Sequence, residues 1–254
     1  MKLLMSANWK MHKTLSQAAE TARELVQLTE TDLPEDREVL LIPPFTCLRT
    51  VADVLGNRSG FSLGGQNFYP AEQGAFTGEI SPDMLKDAGC SAALVGHSER
   101  RHVLGEKDEL LARKVSFGLG QGLNIILCIG ETLEQRKNGQ LQEVLRQQLQ
   151  TALTGLETPD IAQKLCIAYE PVWAIGTGEV AESDDIAQAH NLVRDNLRSL
   201  FGSSGRDIRI LYGGSVKPDN TADIISIDNV EGVLVGGAGL HAESFSRIVL
   251  AKNQ

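Results

Sequence analysis

The chain has 254 residues, 42% of them apolar and 22% charged, the proportions of a soluble folded protein rather than a disordered one. Lys and Arg total 24 against 33 Asp and Glu, a net charge of −9. That balance argues against sequence-independent nucleic-acid binding, which needs a basic face, so any anionic ligand must be held by a local site. The segment Met1–Lys13 lacks the apolar length and cleavage site of a signal peptide, and no run approaches the roughly 20 apolar residues of a spanning helix. A cytoplasmic location with no membrane or nucleic-acid partner is expected.

In chain order, the first strand is expected over Leu3–Ala7, followed by a helix capped at Ser16 with an apolar face of Ala19, Ala22, Leu25, Val26 and Leu28. Strands are expected at Glu38–Ile42, Phe61–Gly65 and Ala92–Val95. Gly118-x-Gly120 then reads as a helix C-cap before a strand at Asn124–Ile129. Thr132 precedes one long helix with Leu133, Leu141, Leu145 and Leu149 at heptad-like spacing. A strand follows at Cys166–Tyr169. Ser183 opens a helix whose apolar face holds Ile186, Ala189, Leu192, Val193 and Leu197, with Asp184 and Asp185 at its positive end. The last strands are Ile208–Tyr212 and Gly232–Val235.

These strands are continuous apolar runs, as parallel strands buried on both faces are. Eight of them alternating with helices, at about 32 residues per unit, predict a single-domain α/β protein, a (β/α)8 barrel of parallel strands over residues 1–254. The alternative is an open doubly wound sheet, which more often has five or six strands. The scattered cysteines Cys47, Cys90, Cys128 and Cys166 read as reduced thiols, with Cys128 and Cys166 buried in strands.

In such a barrel the chemistry sits just after the strands. There the chain carries Asn8-Trp9-Lys10, Gly96-His97-Ser98-Glu99-Arg100-Arg101, Glu170-Pro171-Val172-Trp173-Ala174-Ile175-Gly176-Thr177-Gly178, Gly213-Gly214-Ser215 and Gly236-Gly237. Glycine pairs after strands seven and eight let backbone N–H groups approach an oxyanion, and a short helix starting at Gly236 would aim its N–H groups there. Glu170 stands between an apolar strand and an apolar loop, where desolvation strengthens a carboxylate as a base. His97 precedes a helix start that disfavours imidazolium, which suits a neutral hydrogen-bond donor. A carboxylate and an imidazole face to face can move protons next to a carbonyl. Lys10 is a candidate anion holder. Pro171 to Gly178, stiff at one end and flexible at the other, reads as a lid, because Trp173 and Ile175 on an immobile loop would be needlessly exposed. Gly176–Ala181 also fits G-x-G-x-x-A, but the glycines do not follow their strand directly, so a dinucleotide site is rejected. His12, His102, His190 and His241 read as surface residues. No histidine pair has metal-ligand spacing, so no metal is expected.

Taken together, those five motifs resemble triosephosphate isomerase, in order and over essentially the whole chain. The resemblance implies cofactor-free interconversion of dihydroxyacetone phosphate and D-glyceraldehyde 3-phosphate. Glu170 would be the base, His97 the electrophile and proton shuttle, and Lys10 the stabiliser of negative charge. Asn8 would bind substrate oxygen, and Glu99 would orient Lys10. Ser98 and Cys128 would have supporting places. Backbone N–H groups of Gly176, Ser215, Gly236 and Gly237 would hold the phosphate under the closed lid. The family is also dimeric. Gln66-Asn67-Phe68 through Gly74-Ala75-Phe76-Thr77-Gly78-Glu79 resembles its interlocking loop, with Thr77 reaching toward Asn8 and Lys10 of the partner subunit. Departures from the commonest family pattern are Glu179-Val180-Ala181 at the lid exit, Ser6-Ala7 where Gly often precedes the Asn, Gly239 for Ser, Phe76 for Tyr and His12 for Asn. A rival reading is another phosphate-binding barrel enzyme, such as a Schiff-base aldolase. It needs a desolvated lysine, for which Lys10 is the candidate. A non-catalytic barrel would be expected to lack one of Lys10, His97 and Glu170.

Overall fold

The computed structural model describes residues 1–156, 160–175 and 180–252. Within them, β1 (Leu3–Asn8), β2 (Arg37–Ile42), β3 (Phe61–Gly65), β4 (Ala92–Val95), β5 (Asn124–Ile129), β6 (Leu165–Tyr169), β7 (Arg209–Tyr212) and β8 (Gly232–Val235) close into a parallel barrel in chain order. β1 pairs with β2 from Leu3↔Arg37 to Asn8↔Ile42, and with β8 from Leu4↔Gly232 to Ala7↔Val235. That second pairing closes the sheet and rules out the open alternative. The strands fall within a residue of their expected bounds.

Closure explains the unbroken apolar runs. Leu4, Leu40, Ile42, Ala92, Leu94, Ile126, Cys128, Cys166, Ala168, Leu211 and Leu234 form one cluster inside the barrel. Their neighbours in sequence, such as Met5, Val39, Leu41 and Leu127, belong to a second cluster shared with the surrounding helices. Each strand therefore buries both faces. At about 1.5–3 kcal/mol for a fully buried Leu or Ile, these two shells are the main stabilising term. All four cysteines are buried and unpaired.

The helices differ from expectation at several points. The first runs over Leu15–Thr29 and is capped at Thr14, not Ser16. The Thr14 N–H donates to Gln17 Oε1 at 2.9 Å, and Leu28 is exposed while Ala19, Ala22, Leu25 and Val26 are buried. Gly118 and Gly120 lie inside the helix Asp108–Gly120, which ends at Gln121. Gly118 is a packing point: a Cβ there would fall 2.6 Å from Ile125 and 2.7 Å from Phe68. The single long helix after Thr132 is two, Leu133–Lys137 and Leu141–Leu153. Gly139 between them takes φ +69°, a left-handed conformation that no helix continues through, and it leaves Leu133 exposed. Thr132 does cap the first piece, accepting from Gln135 N–H at 3.3 Å. The helix Ser183–Phe201 buries Ile186, Ala189, Val193 and Leu197 of the expected face and leaves Leu192 half-buried; it also buries His190, which is not a surface residue.

Candidate active site

The carboxyl ends of β1, β4, β6, β7 and β8 meet around a cavity of about 490 Å³. It is lined by Asn8, Lys10, His97, Glu170, Ser215, Gly236 and Gly237, together with His12 and Lys217. The barrel brings these groups, separated by up to 229 residues in sequence, to one mouth.

Asn8, the last residue of β1, is buried, and its Oδ1 accepts the Lys10 N–H at 2.9 Å. Lys10 takes φ +50°, an unfavourable conformation for a residue with a Cβ. It is held there from both sides, because Gln66 Nε2 donates to the Lys10 carbonyl at 2.8 Å and to the Ile42 carbonyl at 3.1 Å. The bent backbone sends the ammonium back across the mouth, where Nζ lies 2.8 Å from Glu99 Oε1. Burial opposes the charged form of Glu99, but the Lys10 hydrogen bond and charge outweigh it, and the carboxyl stays below its ordinary range.

Glu170 is 2% exposed. Its Oε2 accepts the Ser98 N–H at 2.8 Å, and its Oε1 lies 3.1 Å from His97 Nε2. The Glu99 N–H points into His97 Nδ1 at 3.3 Å, so Nδ1 carries a lone pair and the proton sits on Nε2. The Glu99 carboxylate is 3.6 Å from Nδ1, beyond hydrogen-bond distance, and the directed backbone N–H decides the tautomer. With Nδ1 accepting, Nε2 is the nitrogen that donates toward Glu170 and the cavity. Cys128 is wholly buried, its thiol pushed well above the usual range by burial and by the nearby Glu170 charge. Its carbonyl accepts from Arg101 Nη2 at 3.1 Å, while Arg101 Nε holds the Gly96 carbonyl at 2.8 Å.

On the opposite rim, Gly213 N–H donates to the Tyr169 carbonyl at 2.7 Å, and a single 3-10 turn, Gly237–Leu240, follows Gly236. Gly236 lies beside the Lys10 ammonium: a Cβ there would be 3.7 Å from Nζ. Of the expected phosphate-binding residues, Ser215, Gly236 and Gly237 line the cavity. Gly176, Thr177 and Gly178 lie outside the described residues. The described part of the loop is better covered than its sequence implied. Pro171 and Ala174 are buried, and Trp173 is half-buried, with Nε1 donating to Glu131 Oε1 at 2.8 Å and its ring 5.5 Å from the Arg136 guanidinium. Needless exposure of Trp173 is therefore no argument for lid motion.

Sequence reasoning passed over Glu131, although it stands just after β5, where the same rule would have found it. It is fully buried, accepts from Tyr169 Oη at 3.1 Å as well as from Trp173, and burial raises its carboxyl above the ordinary range. Gln66, which by sequence only opens a loop, is the other such residue, since it holds the Lys10 carbonyl. His12 is exposed, as expected, but lines the mouth.

A second cavity, of about 560 Å³, opens at the amino ends of the strands among Met1, Glu38, Ser62, Asn124, Lys164 and Arg209. It contains no histidine, and its Arg209 and Glu38 pair with each other at 3.2 Å. In this fold the amino-end face serves stability and the carboxyl-end face chemistry, so the mouth with the Glu170–His97 pair is the candidate active site.

The chain matches the triosephosphate isomerase family model over residues 3–252. It is 57% identical over 251 residues to a triosephosphate isomerase of Nitratidesulfovibrio vulgaris (strain Miyazaki F), covering 99% of this chain and 100% of the relative. It is 58% identical over 251 residues, with the same coverage, to that of Oleidesulfovibrio alaskensis. A crystal structure of triosephosphate isomerase from Bartonella henselae superposes with a TM-score of 0.86 at 38% identity, covering 98% of each chain. With likeness of this extent in both sequence and structure, and with a carboxylate, an imidazole and an ammonium gathered at the barrel mouth, the chain belongs to the triosephosphate isomerase family.

Proposed function

We propose that residues 1–254 work as one catalytic domain in which Glu170, His97 and Lys10 interconvert dihydroxyacetone phosphate and D-glyceraldehyde 3-phosphate. The observation that carries this reading is the facing pair: Glu170 Oε1 is 3.1 Å from His97 Nε2, whose partner nitrogen accepts a backbone N–H. Glu170 removes a proton from the carbon beside the carbonyl. His97, donating from Nε2, polarises the carbonyl and then shuttles protons between the two oxygens of the enediolate. Glu170 returns its proton to the neighbouring carbon, so the step balances without a cofactor. Lys10, fixed by Glu99, offsets the negative charge that develops on oxygen, and Asn8 binds substrate oxygen. Backbone N–H groups of Ser215, Gly236, Gly237 and Gly176 hold the phosphate. The segment 171–178 acts as a lid that excludes water and suppresses phosphate loss from the intermediate.

The geometry of the site supports these roles. Both Glu170 oxygens have partners, Ser98 N–H and His97 Nε2, and these set the place of the carboxyl group at the mouth. A coupled assay starting from D-glyceraldehyde 3-phosphate tests the reading. Glu170→Gln, which keeps size but loses the base, is expected to lower kcat at least 10²-fold with KM little changed. Retention of wild-type kcat would refute Glu170 as the base.

The family reading extends to a homodimer. Met11 is 94% exposed and Val103 78%, with Leu104, Met84 and Phe76 also open. Phe76 stacks 4.3 Å from Tyr69 at the foot of the loop that bears the exposed Thr77. So many large apolar groups in the open fit a surface covered by a second copy. A cytoplasmic location fits a chain in which, among the described residues, no helix is long and apolar enough to cross a membrane.

A further inference from the structure

We propose that Gln148, on the helix Leu141–Leu153, is a positioning residue for Glu170, acting through Gly130. The proposal rests on Glu170 being the base. Gly130, just past the end of β5, is buried and pressed against the catalytic strand end: a Cβ on it would fall 1.7 Å from the Glu170 carbonyl oxygen. Its two neighbours receive the backbone of the same segment. Glu170 N–H donates to the Ile129 carbonyl at 2.7 Å, and Val172 N–H donates to the Glu131 carbonyl at 3.2 Å. Residues 129–131 are therefore the seat on which the base and the first residues of the 171–175 loop rest.

Gly130 itself has left the barrel ladder. Among the described residues, its N–H and C=O are both satisfied by one side chain, the Gln148 amide. The Gly130 N–H donates to Gln148 Oε1 at 2.9 Å, and Gln148 Nε2 donates to the Gly130 carbonyl at 3.2 Å. This two-point grip fixes the orientation of the peptide groups on both sides of Gly130, which, lacking a Cβ, has little steric restraint of its own. Without it, two buried backbone groups lose their partners and the seat is free to turn. A turn of the seat moves Glu170 directly, because no side chain intervenes. Gln148 touches neither the cavity nor the reacting groups, so its effect is on the placement of the carboxylate and not on substrate affinity.

The experiment is steady-state kinetics of purified full-length protein carrying Gln148→Met, which keeps length but removes both hydrogen bonds, beside wild type and Glu170→Gln. Melting is measured in parallel, and all rates are taken well below each melting transition. The expected result is a fall in kcat of about tenfold with KM shifted less than threefold, as displacement of a reacting group produces. A fall in kcat of less than threefold in folded protein, or a loss carried by KM instead, overturns the proposal, whatever the melting temperature does. If Gln148→Met does not fold, Gln148→Glu, which retains an acceptor for the Gly130 N–H and loses the donor, is read by the same criteria. Wild-type activity in Glu170→Gln would instead remove the base assignment on which the proposal rests.

Discussion

His190 shows how one residue couples burial to pH. Its Nδ1 lies 2.8 Å from the Asn229 carbonyl, so Nδ1–H donates, and Nε2, near the rings of Tyr169 and Tyr212, has no partner among the described residues. Burial pushes the imidazole down to about 4, from 6.5 in the open chain, and the Arg194 charge adds to this against the Asn229 hydrogen bond. Between those values the unfolded chain binds a proton that the native state refuses. The contribution is full above pH 6.5 and is lost as pH falls toward 4, about 2 kcal/mol of it by pH 5. Denaturant unfolding at fixed protein concentration should show His190→Asn less sensitive to acidification than wild type between pH 7.5 and 5. Parallel curves for the two proteins would show that His190 is not the titrating group. The burial itself was within reach of the sequence: positions 186, 189, 190, 193 and 197 all lie on one helical stripe. It was passed over because histidine is usually half-exposed, and only packing against two tyrosines shows where this ring sits.

At the scale of elements, strands were more legible than helices. A strand buried on both faces leaves an unbroken apolar run, and all eight appear within a residue of expectation. Helix breaks depend on single backbone conformations such as φ +69° at Gly139, which a heptad-like pattern of leucines conceals. The contact between β1 and the turn after β8 was also hidden. A Cβ on Gly239 would fall 2.9 Å from Ala7 Cβ. Ala7 and Gly239 therefore share one space, in which a side chain on residue 239 would press on the Ala7 methyl group. Gly239→Ser alone should cost about 1–3 kcal/mol by overpacking. In a double-mutant cycle Ala7→Gly should recover at least about 1 kcal/mol of that cost. Additive effects in equilibrium unfolding would show the positions to be independent.

For the whole molecule, the net charge is −9, and Lys10 and Lys217 stand with the glycine turns at the barrel mouth, where an anionic ligand would have to be met locally. The exposed Met11, Val103 and Leu104 are where the proposed dimer is tested. Sedimentation equilibrium is expected to give twice the 27.5 kDa chain mass. Met11→Lys together with Val103→Lys should shift the equilibrium toward monomer, since a second copy seated on these residues would bury the new charges unpaired. A wild-type monomer at micromolar concentration would sink the dimer.

By itself the sequence determined the barrel, because continuous apolar runs at a regular interval have few other ways to bury both faces. It also determined which residues stand at strand ends, since chemistry-bearing side chains there interrupt an otherwise apolar pattern. Only the tertiary structure decided what those residues do to one another. The proton on His97 Nε2 follows from the Glu99 N–H aimed at Nδ1. The reach of Lys10 follows from a strained backbone held by Asn8 and Gln66, and the seat of Glu170 from a helix whose Gln148 grips Gly130. These are directional contacts a few ångströms long, two of them between residues 18 and 56 positions apart. Burial pattern is written along the chain residue by residue, whereas the direction of a hydrogen bond exists only once the chain has closed.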